Sequence, residues 1–476
     1  MFCFVNLLLR SKHIDLEQFQ LDKILKGQKL ILRSKINSQS IHRQVISNVI
    51  PAIIVELMIL IYNLADTFFI AQTDDPFQIA AVSLAAPAFF VLIAMGIIFM
   101  AGGMSCISRA LGAGENEKAN NIASFCIWSG IVVGVIMTMI FMMFIGKILI
   151  AIGASIDTFV YAYGYLSIVM ASAPFILFSM ACSGILRAEN HAAQAMNGQI
   201  IGNVLNIILD PIMILYFKMG ITGAAIATVI GTVAGAAYYI GYFLAGQSSL
   251  KIHIKNFRIN NGIAVGVLAI GIPACLDPWL MSISQMIMNS LMSAYGDMAV
   301  AAAGVSMRIE QIATLIAMGV GQGVQPLLGF CVGAKDWEKY KAMLKFALKL
   351  TICVSLSMVG LCYLFTGNLV RVFLIEPEAF GYAVQFLRIK LSSSVLFAIF
   401  FIFVNALQAM GAAKASFILS VCRQCALYIP ALFIMNYFAG EYGLVWALPI
   451  AELLSLVQTF LIYGKIIYNP KLFVEK

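Results

Sequence analysis

Long apolar runs alternate with short polar breaks along most of this chain, from about Ser47 to Tyr463. Each run is close to the roughly 20 residues that an α-helix needs to cross about 30 Å of hydrocarbon. The pattern therefore predicts twelve membrane-spanning helices in two sets of six. The first set lies near 44–70, 78–104, 119–146, 158–186, 193–217 and 220–246, and the second lies near 262–291, 297–331, 343–374, 379–409, 414–438 and 441–469.

The composition supports the bilayer as the solvent of these helices. Hydrophobic residues make up 62% of the chain, charged residues only 11%, and the mean hydropathy is +0.94. Soluble domains carry about 25% charged residues, so this chain cannot cover a water-facing surface. The predicted fold class is an all-α integral membrane protein, with twelve transmembrane helices arranged as two six-helix lobes.

The distribution of basic residues predicts the orientation of the chain. The net charge is +8, and all but six of the 30 Lys and Arg residues fall on the side of the membrane that holds the N-terminus. The six exceptions are Lys147, Lys218, Arg308, Arg371, Arg388 and Lys390. Basic residues concentrate in cytoplasmic segments, so both termini are predicted to be cytoplasmic, in a bacterial cytoplasmic (inner) membrane. The positive charge is thereby accounted for without a nucleic-acid partner.

This orientation gives a predicted domain organisation in five parts. A cytoplasmic tail (1–43) precedes the N-terminal six-helix lobe (44–246), and a cytoplasmic linker (247–261) leads to the C-terminal six-helix lobe (262–469). Residues 470–476 form a second cytoplasmic tail.

The two halves of the chain resemble each other at an offset of 221 residues. GAGENEKA from Gly112 corresponds to GAKDWEKY from Gly333, and LRAENHAA from Leu186 corresponds to LQAMGAAK from Leu407. Each half has an even number of spans, so the halves are parallel repeats related by an axis along the membrane normal. Transporters of this kind place the substrate cavity between the repeats. The sequence shows no filter-like re-entrant loop, which disfavours a channel.

Ionisable residues inside the spans are few, and an ionisable group at membrane depth indicates function by default. Asp66 lies in the first helix, and Asp210 lies in the fifth, four residues after Asn206 and therefore on the same helix face. Pro211 frees the carbonyl of Ile207 from its helical hydrogen bond. These oxygens suit a small cation such as Na⁺, and a desolvated Asp also suits a proton carrier. The alternative is a kinked helix in which Asp210 caps nearby backbone.

Four further side chains are candidates for the wall of a substrate cavity: Glu56, Tyr62, Asp277 and Glu310. Glu56 precedes Asp66 on the first helix and is expected near the cavity or its cytoplasmic mouth. Asp277 follows Pro273, so capping of a kink is an equal alternative for it. Glu310 is a candidate for attracting cations in the second half, whereas Glu452 has no partner that the sequence identifies.

At these residues the chain resembles the MATE family of bacterial multidrug efflux transporters, over about Ile46 to Tyr463. The resemblance rests on DTFFIA, SRALGAGENEKA, LRAEN, NIILDP and GITGAAIAT in the first half, and on PLLGFCVGAKDWEKY and LQAMGAAKAS in the second. It implies two lobes around a V-shaped cavity, and export of amphipathic, often cationic drugs in exchange for H⁺ or Na⁺ by alternating access.

The resemblance also implies which residues bind the coupling ion. In one branch of the family the ion site lies in the N-terminal lobe, at positions that match Asp66, Asn206 and Asp210, where Na⁺ would bind. Thr228 and Ser183 match the remaining ligand positions, although relatives carry Asn where this chain has Ser183. Another branch uses acids in the second lobe, but the matching positions here, near Met281 and Ala398, are not acidic.

Two other functions are alternatives to multidrug export. A lipid-linked precursor flippase of the same superfamily is expected to have about fourteen spans, and basic residues in its cavity to bind phosphates. A membrane enzyme is disfavoured, because the chain has no HExxH, no His/Asp cluster at membrane depth and no nucleotide loop. The expected transporter has no cofactor beyond its coupling ion, binds drugs and the lipid bilayer, and acts as a monomer. The sequence does not separate Na⁺ from H⁺.

Overall fold

A computed structural model describes residues 40–73, 75–260, 262–374 and 376–468, and these residues form a bundle of long helices. Residues 1–39 of the predicted N-terminal tail and all of the predicted C-terminal tail, 470–476, lie outside the described residues. The first lobe contains six spans, of which α4 is bent by 48° at Ser172 and α5 ends in a π-helical turn. They are α1 (Ile41–Ala71), α2 (Pro76–Ala113), α3 (Asn116–Ile152), α4 (Ile156–Ala171 with Ala173–Ala188), α5 (Ala192–Tyr216) and α6 (Gly220–Leu244).

The second lobe repeats this arrangement. Its first four spans are α7 (Ile263–Met292), α8 (Asp297–Gly333), α9 (Trp337–Leu364) and α10 (Pro377–Met410). A short helix, Thr366–Arg371, lies between α9 and α10. The remaining helical stretch, Ala413–Ile467, has 55 residues and would be about 80 Å long if straight, more than twice the hydrocarbon core. The non-helical backbone of Gly440 (φ 57°, ψ −136°) divides it into α11 (413–439) and α12 (441–468). The predicted fold class of twelve spans in two lobes is confirmed.

The helices start in the register that the sequence repeat predicts. In the first lobe α2, α3, α4 and α5 begin at Pro76, Asn116, Ile156 and Ala192, and their counterparts begin 221 residues later at Asp297, Trp337, Pro377 and Ala413. The offset holds through eight helix starts without an insertion. Residues separated by 221 positions therefore occupy equivalent places in the two lobes, and they are called repeat mates below.

The lobes meet where α1 and α2 pack against α7 and α8. At the closest crossing, a Cβ on Gly112 would collide with the carbonyl of Phe330, and a Cβ on Gly333 would collide with the carbonyl of Arg109. Gly112 and Gly333 are repeat mates, and so are Arg109 and Phe330. The crossing of α2 and α8 therefore lies on the pseudo-twofold axis, and only glycine permits this approach of two backbones.

These inter-lobe contacts lie near the start of α1 and the end of α2, so they close one end of the molecule. Gly319 and Gly323 of α8 approach the backbone of Ile53 and Val49 in the first half of α1. Farther along α1, in the stretch 61–70, Asp66 and Ile70 are the buried side chains, whereas most of their neighbours are exposed. The close backbone contacts between α1 and the second lobe therefore lie in the first half of α1, whereas its second half buries few side chains.

The linker between the lobes is fixed to the first lobe by one carboxylate. Glu189, which is buried at the end of α4, accepts hydrogen bonds from the backbone nitrogens of Ser249 (2.8 Å) and Leu250 (3.1 Å). The hydroxyls of Ser248 and Ser249 donate to the same carboxylate at 2.8 and 2.6 Å. This part of the linker is therefore an ordered strap and not a free tether.

The structure corrects the assignment of two basic residues to loops. Arg187 is 4% exposed in α4, and Arg423 is 2% exposed in the π-helical part of α11, Cys422–Tyr428. The predicted fourth span ends at residue 186, just before Arg187, and Arg423 lies near the start of the predicted span 414–438, so the charge distribution counts both on the cytoplasmic side. The charge asymmetry remains large without them, but both guanidinium groups belong to the protein interior.

Candidate functional site

The local sequence of α5 places two polar side chains on its buried face. Asn206 and Asp210 are four residues apart and are 3% and 0% exposed. Pro211 cannot donate to the carbonyl of Ile207, and the helix continues as the π-helical turn Ile212–Tyr216. Such π-helical turns often mark functional sites, because they re-aim the side chains around them.

Asn206 connects Asp210 to the sixth helix. Its Nδ2 lies 3.4 Å from Asp210 Oδ1 and 3.2 Å from the hydroxyl of Thr228. A half-turn of the amide keeps both contacts, with the nitrogen 3.2 Å from Asp210 Oδ2 and the oxygen 3.2 Å from Thr228 Oγ1. A carboxylate, an amide and a hydroxyl from α5 and α6 therefore form one buried cluster.

Asp66 of α1 brings the second carboxylate to this cluster. The two carboxylates are close enough to repel each other electrostatically, and Tyr62, one turn before Asp66, hydrogen-bonds Thr228. Asp66 is 9% exposed, and its buried Oδ1 accepts no hydrogen bond from the described residues. A buried carboxylate oxygen without a donor is costly, so this oxygen is available to a proton or a cation.

The fourth helix contributes a different residue from the one expected. Tyr165 lies within electrostatic range of Asp66 and Asp210, whereas Ser183 accepts a hydrogen bond from Gln199 Nε2 at 3.1 Å and contacts Tyr239. Gln199 precedes Asn206 by seven residues, about 10 Å along α5. The structure thus brings Asp66, Asn206, Asp210 and Thr228 together and leaves Ser183 about two turns away. Tyr165 was not predicted from the sequence, because it lies within an apolar run.

Glu56, an expected cavity residue, lies in the closed contact between the lobes. Its Oε1 accepts a hydrogen bond from Gln322 Nε2 of α8 at 2.8 Å, and Gln322 Oε1 accepts one from Arg187 Nη1 at 2.7 Å. The amide of one lobe therefore bridges an acid and a base of the other. Glu56 is 8% exposed, so in this conformation it belongs to the closed end and not to an open cavity wall.

The other two expected cavity acids are engaged inside the second lobe. Asp277 of α7 forms a 3.1 Å ion pair with Arg423, and Glu452 of α12 forms one of 2.8 Å with the same guanidinium. Glu310 interacts electrostatically with Lys390, which is 3% exposed. Asp277 therefore pairs with a base and does not act simply as a kink cap, and Glu452 has the partner that the sequence did not reveal.

The chemistry open to the first-lobe cluster differs from that of the second lobe. The first lobe collects two carboxylates, an amide, a hydroxyl and two phenols, with no Lys or Arg ion pair to them among the described residues. Hard oxygen ligands of this kind bind alkali and alkaline-earth cations, and paired buried carboxylates also share protons. The second lobe instead neutralises its acids with its own bases.

Comparison with known proteins gives matches along most of the chain. The sequence profile described as MatE matches residues 51–212 and 273–434, one segment in each lobe. The multidrug export protein MepA of Staphylococcus aureus (strain MSSA476) is 32% identical over 413 residues, which are 87% of this chain and 91% of that protein. MepA of Staphylococcus saprophyticus is 32% identical over 417 residues, with the same coverage.

Solved structures share the fold. A multidrug resistance MATE family transporter of the MOP superfamily, solved in an outward-facing conformation, superposes with a TM-score of 0.87 at 25% identity. The superposition covers 92% of this chain and 98% of that one.

Proposed function

This chain belongs to the MATE family of membrane transporters, and from that premise we propose that it is a multidrug efflux antiporter. It exports amphipathic, often cationic compounds in exchange for H⁺ or Na⁺. The observation that carries the proposal is the buried first-lobe cluster, in which Asp66 Oδ1 has no hydrogen-bond donor and Asp210 has no basic partner among the described residues.

The coupling ion binds to Asp66, Asn206, Asp210 and Thr228. For Na⁺, the carboxylate, amide and hydroxyl oxygens replace part of its hydration shell. For H⁺, a proton on one carboxylate relieves the repulsion between Asp66 and Asp210. Either ion changes the charge of the cluster by one, so the same residues serve both alternatives.

Ion binding drives transport by shifting the equilibrium between two arrangements of the lobes. The distribution of basic residues predicts that both termini are cytoplasmic; with this orientation, the glycine-lined contact of α1 and α2 with α7 and α8 closes the cytoplasmic end, and the drug site opens outward. An ion shifts this equilibrium only by its differential affinity for the two states. One positive charge that moves inward gains about 2.3 kcal/mol per 100 mV, which supplies the bias for export.

The printed names of the relatives, multidrug export and multidrug resistance, support the substrate class. A bulky organic cation needs an apolar, adaptable wall, and the 25 Met and 33 Phe residues of this chain supply side chains of that kind. The flippase alternative needs basic side chains for lipid phosphates, but the buried Arg187 and Arg423 already contact internal partners.

Ethidium efflux from proteoliposomes, driven separately by a pH gradient and a Na⁺ gradient, tests the proposal. Asp66→Asn is expected to abolish efflux under the gradient that drives the wild type. Asp157→Asn makes the same chemical change at an exposed position of the same lobe and is expected to leave efflux intact. Gradient-driven efflux by Asp66→Asn at the wild-type rate would contradict the proposal.

A further inference from the structure

Arg423 is enclosed in the second lobe as a bound cation would be. Its Nη2 lies 3.1 Å from Asp277 Oδ1, and its Nη1 lies 2.8 Å from Glu452 Oε1. The rings of Phe397 and Phe400 from α10 lie 5.2 and 5.1 Å from the guanidinium carbon, within cation–π range. Three helices besides α11 therefore surround the charge with carboxylates and aromatic faces.

Local backbone geometry directs this side chain inward. Residues Cys422–Tyr428 form a π-helical segment, which has wider turns than an α-helix and shifts the face on which each side chain projects. Arg423 is the second residue of the segment and its side chain is 2% exposed. The position is thus built into the helix and does not depend on a flexible loop.

The acidic partners retain binding capacity beyond what Arg423 uses. Glu452 has a side chain that is 3% exposed, and its Oε2 accepts no hydrogen bond from the described residues. On the arginine, Nε likewise donates no hydrogen bond there. Arg423 therefore does not satisfy every oxygen of the two carboxylates, and one buried oxygen remains without a donor among the described residues.

The first lobe has nothing equivalent at the same place. The repeat mates of Arg423 and Glu452 are Gly202 and Gly231, whose backbones pack directly: a Cβ on Gly202 would lie 2.8 Å from the Gly231 carbonyl oxygen. The position that carries the positive charge of Arg423 in the second lobe is therefore a glycine, with no side chain, in the first lobe. This is the lobe in which Asp66 and Asp210 lack a basic partner among the described residues.

We propose that Arg423 is a tethered cation that fills a latent cation site formed by Asp277 and Glu452, and thereby confines coupling-ion binding to the first lobe. Removal of the guanidinium would leave two buried carboxylates without their counter-charge, and a small monovalent cation would replace it. The proposal rests on the proposed function only for the role of the first lobe.

Equilibrium binding of ²²Na⁺ to purified protein in nanodiscs tests this inference. Arg423→Met removes the charge and keeps an apolar chain of similar length, whereas Arg423→Lys keeps a charge and is the matched control. Arg423→Met is expected to bind about one more Na⁺ per protein than its parent, and Arg423→Lys is expected to bind no more. No gain with Arg423→Met, or an equal gain with Arg423→Lys, would overturn the inference.

The measurement is made in both the wild-type and the Asp66→Asn background. The gain caused by Arg423→Met is expected in both, because it arises in the second lobe. Loss of Na⁺ binding or of gradient-driven transport on Asp66→Asn alone reports on the proposed function instead. The two hypotheses can therefore fail separately.

Rescue of Arg423→Ala by added guanidinium ion provides a second test, in which the ion replaces the missing side-chain charge. Guanidinium ion at millimolar, non-denaturing concentration is expected to raise the apparent melting temperature of Arg423→Ala and leave the wild type unchanged. Asp277→Asn/Arg423→Ala/Glu452→Gln retains the cavity without the acids and is expected to lose this response. An equal response of the triple variant, or no response of Arg423→Ala, would overturn the inference.

Discussion

The two lobes share a backbone and differ in where they keep charge. The repeat mates of Asp66, Asp210 and Thr228 are Ile287, Ala431 and Pro449, so the first-lobe cluster has an apolar counterpart. Conversely, the Arg423–Glu452 ion pair of the second lobe corresponds to the close packing of Gly202 against Gly231. The same scaffold therefore carries unpaired acids in the first lobe, where we propose that the ion binds, and acids neutralised by an internal base in the second lobe.

Acids that occupy equivalent places in both lobes sharpen this point. Glu56 and Asp277 are repeat mates, and each has a polar partner: Gln322, which also contacts Arg187, for Glu56, and Arg423 for Asp277. Asp66 and Asp210, by contrast, have neither an acidic repeat mate nor a basic partner among the described residues. Lack of a counter-charge, and not burial alone, distinguishes the candidate coupling site.

Breaking the second-lobe ion pair should give the largest change in stability. Arg423→Met leaves Asp277 and Glu452 without their counter-charge and, in Na⁺-free buffer, is expected to cost about 3–5 kcal/mol, the usual penalty for leaving a buried charge unpaired. Fluorescence-detected gel filtration after heating would record the lower apparent melting temperature. Asp277→Asn/Arg423→Met/Glu452→Gln, which removes all three charges, should recover most of the loss; an equally unstable triple variant would show that packing, not charge, is responsible.

Neutralising a first-lobe carboxylate should affect coupling and not stability. Asp210→Asn removes one charge from the transport cycle, and at 100 mV this forfeits about 2.3 kcal/mol, or roughly 50-fold in drug accumulation ratio. The ratio would be measured in proteoliposomes under an imposed potential and ion gradient. Asp277→Asn, corrected for folded protein, should keep the wild-type ratio. If the two variants lost coupling equally, the distinction between the lobes would be wrong.

The glycine crossing of the first lobe should be needed to hold the cluster together. Gly202→Ala forces α5 from α6, because its Cβ would lie 2.8 Å from a carbonyl oxygen, and overpacking of this kind costs about 1–3 kcal/mol. Asn206 and Thr228 lie on these two helices, so the affinity for the coupling ion should fall with the melting temperature. Gly241→Ala of α6 has no neighbour within 4 Å and should be neutral or stabilising. Equal effects would exclude a packing role.

Removing the amide between the lobes should have the smallest effect. Gln322→Ala loses the hydrogen bonds to Glu56 and Arg187. Because these two opposite charges also interact electrostatically with each other, the expected net cost is that of one hydrogen bond, about 0.5–1.5 kcal/mol, which shifts the equilibrium towards the opened cytoplasmic end by roughly two- to tenfold. Spin labels at the exposed repeat mates Glu117 and Glu338 would report the longer distance. Gln311→Ala, at an exposed position of α8, is the control, and an unchanged distance distribution in Gln322→Ala would contradict the prediction.

The spans and the first-lobe cluster could be predicted because their signals are local. Apolar runs define the helices, and the four-residue spacing of Asn206 and Asp210 defines a face. Asp66 was identified by its charge inside a span, the resemblance to the family added Thr228, and the structure brings both to that face. Each of these inferences needs only helical periodicity or a short motif.

The second-lobe cluster could not be predicted, because it depends on how helices rotate against one another. Asp277, Arg423 and Glu452 come from α7, α11 and α12, and the π-helical segment that turns Arg423 inward leaves no pattern in the sequence. Basic residues near the cytoplasmic end of a predicted span are expected at the membrane surface, so the burial of Arg187 and Arg423 was not predicted either. Ser183 was predicted at the ion site for a related reason, since a sequence motif identifies the helix that carries a residue but not the helical turn on which its side chain meets the site.

The crossing of Gly112 and Gly333 bears on how such a chain arose. Gly112 contacts the carbonyl of Phe330, three residues before Gly333, and Gly333 contacts the carbonyl of Arg109, three residues before Gly112. Two identical subunits make the same kind of self-complementary contact around a twofold axis. A single six-helix unit could therefore have paired with its own copy through this surface before gene duplication and fusion joined them. Once fused, the copies no longer had to be identical, and each was free to accumulate its own charges.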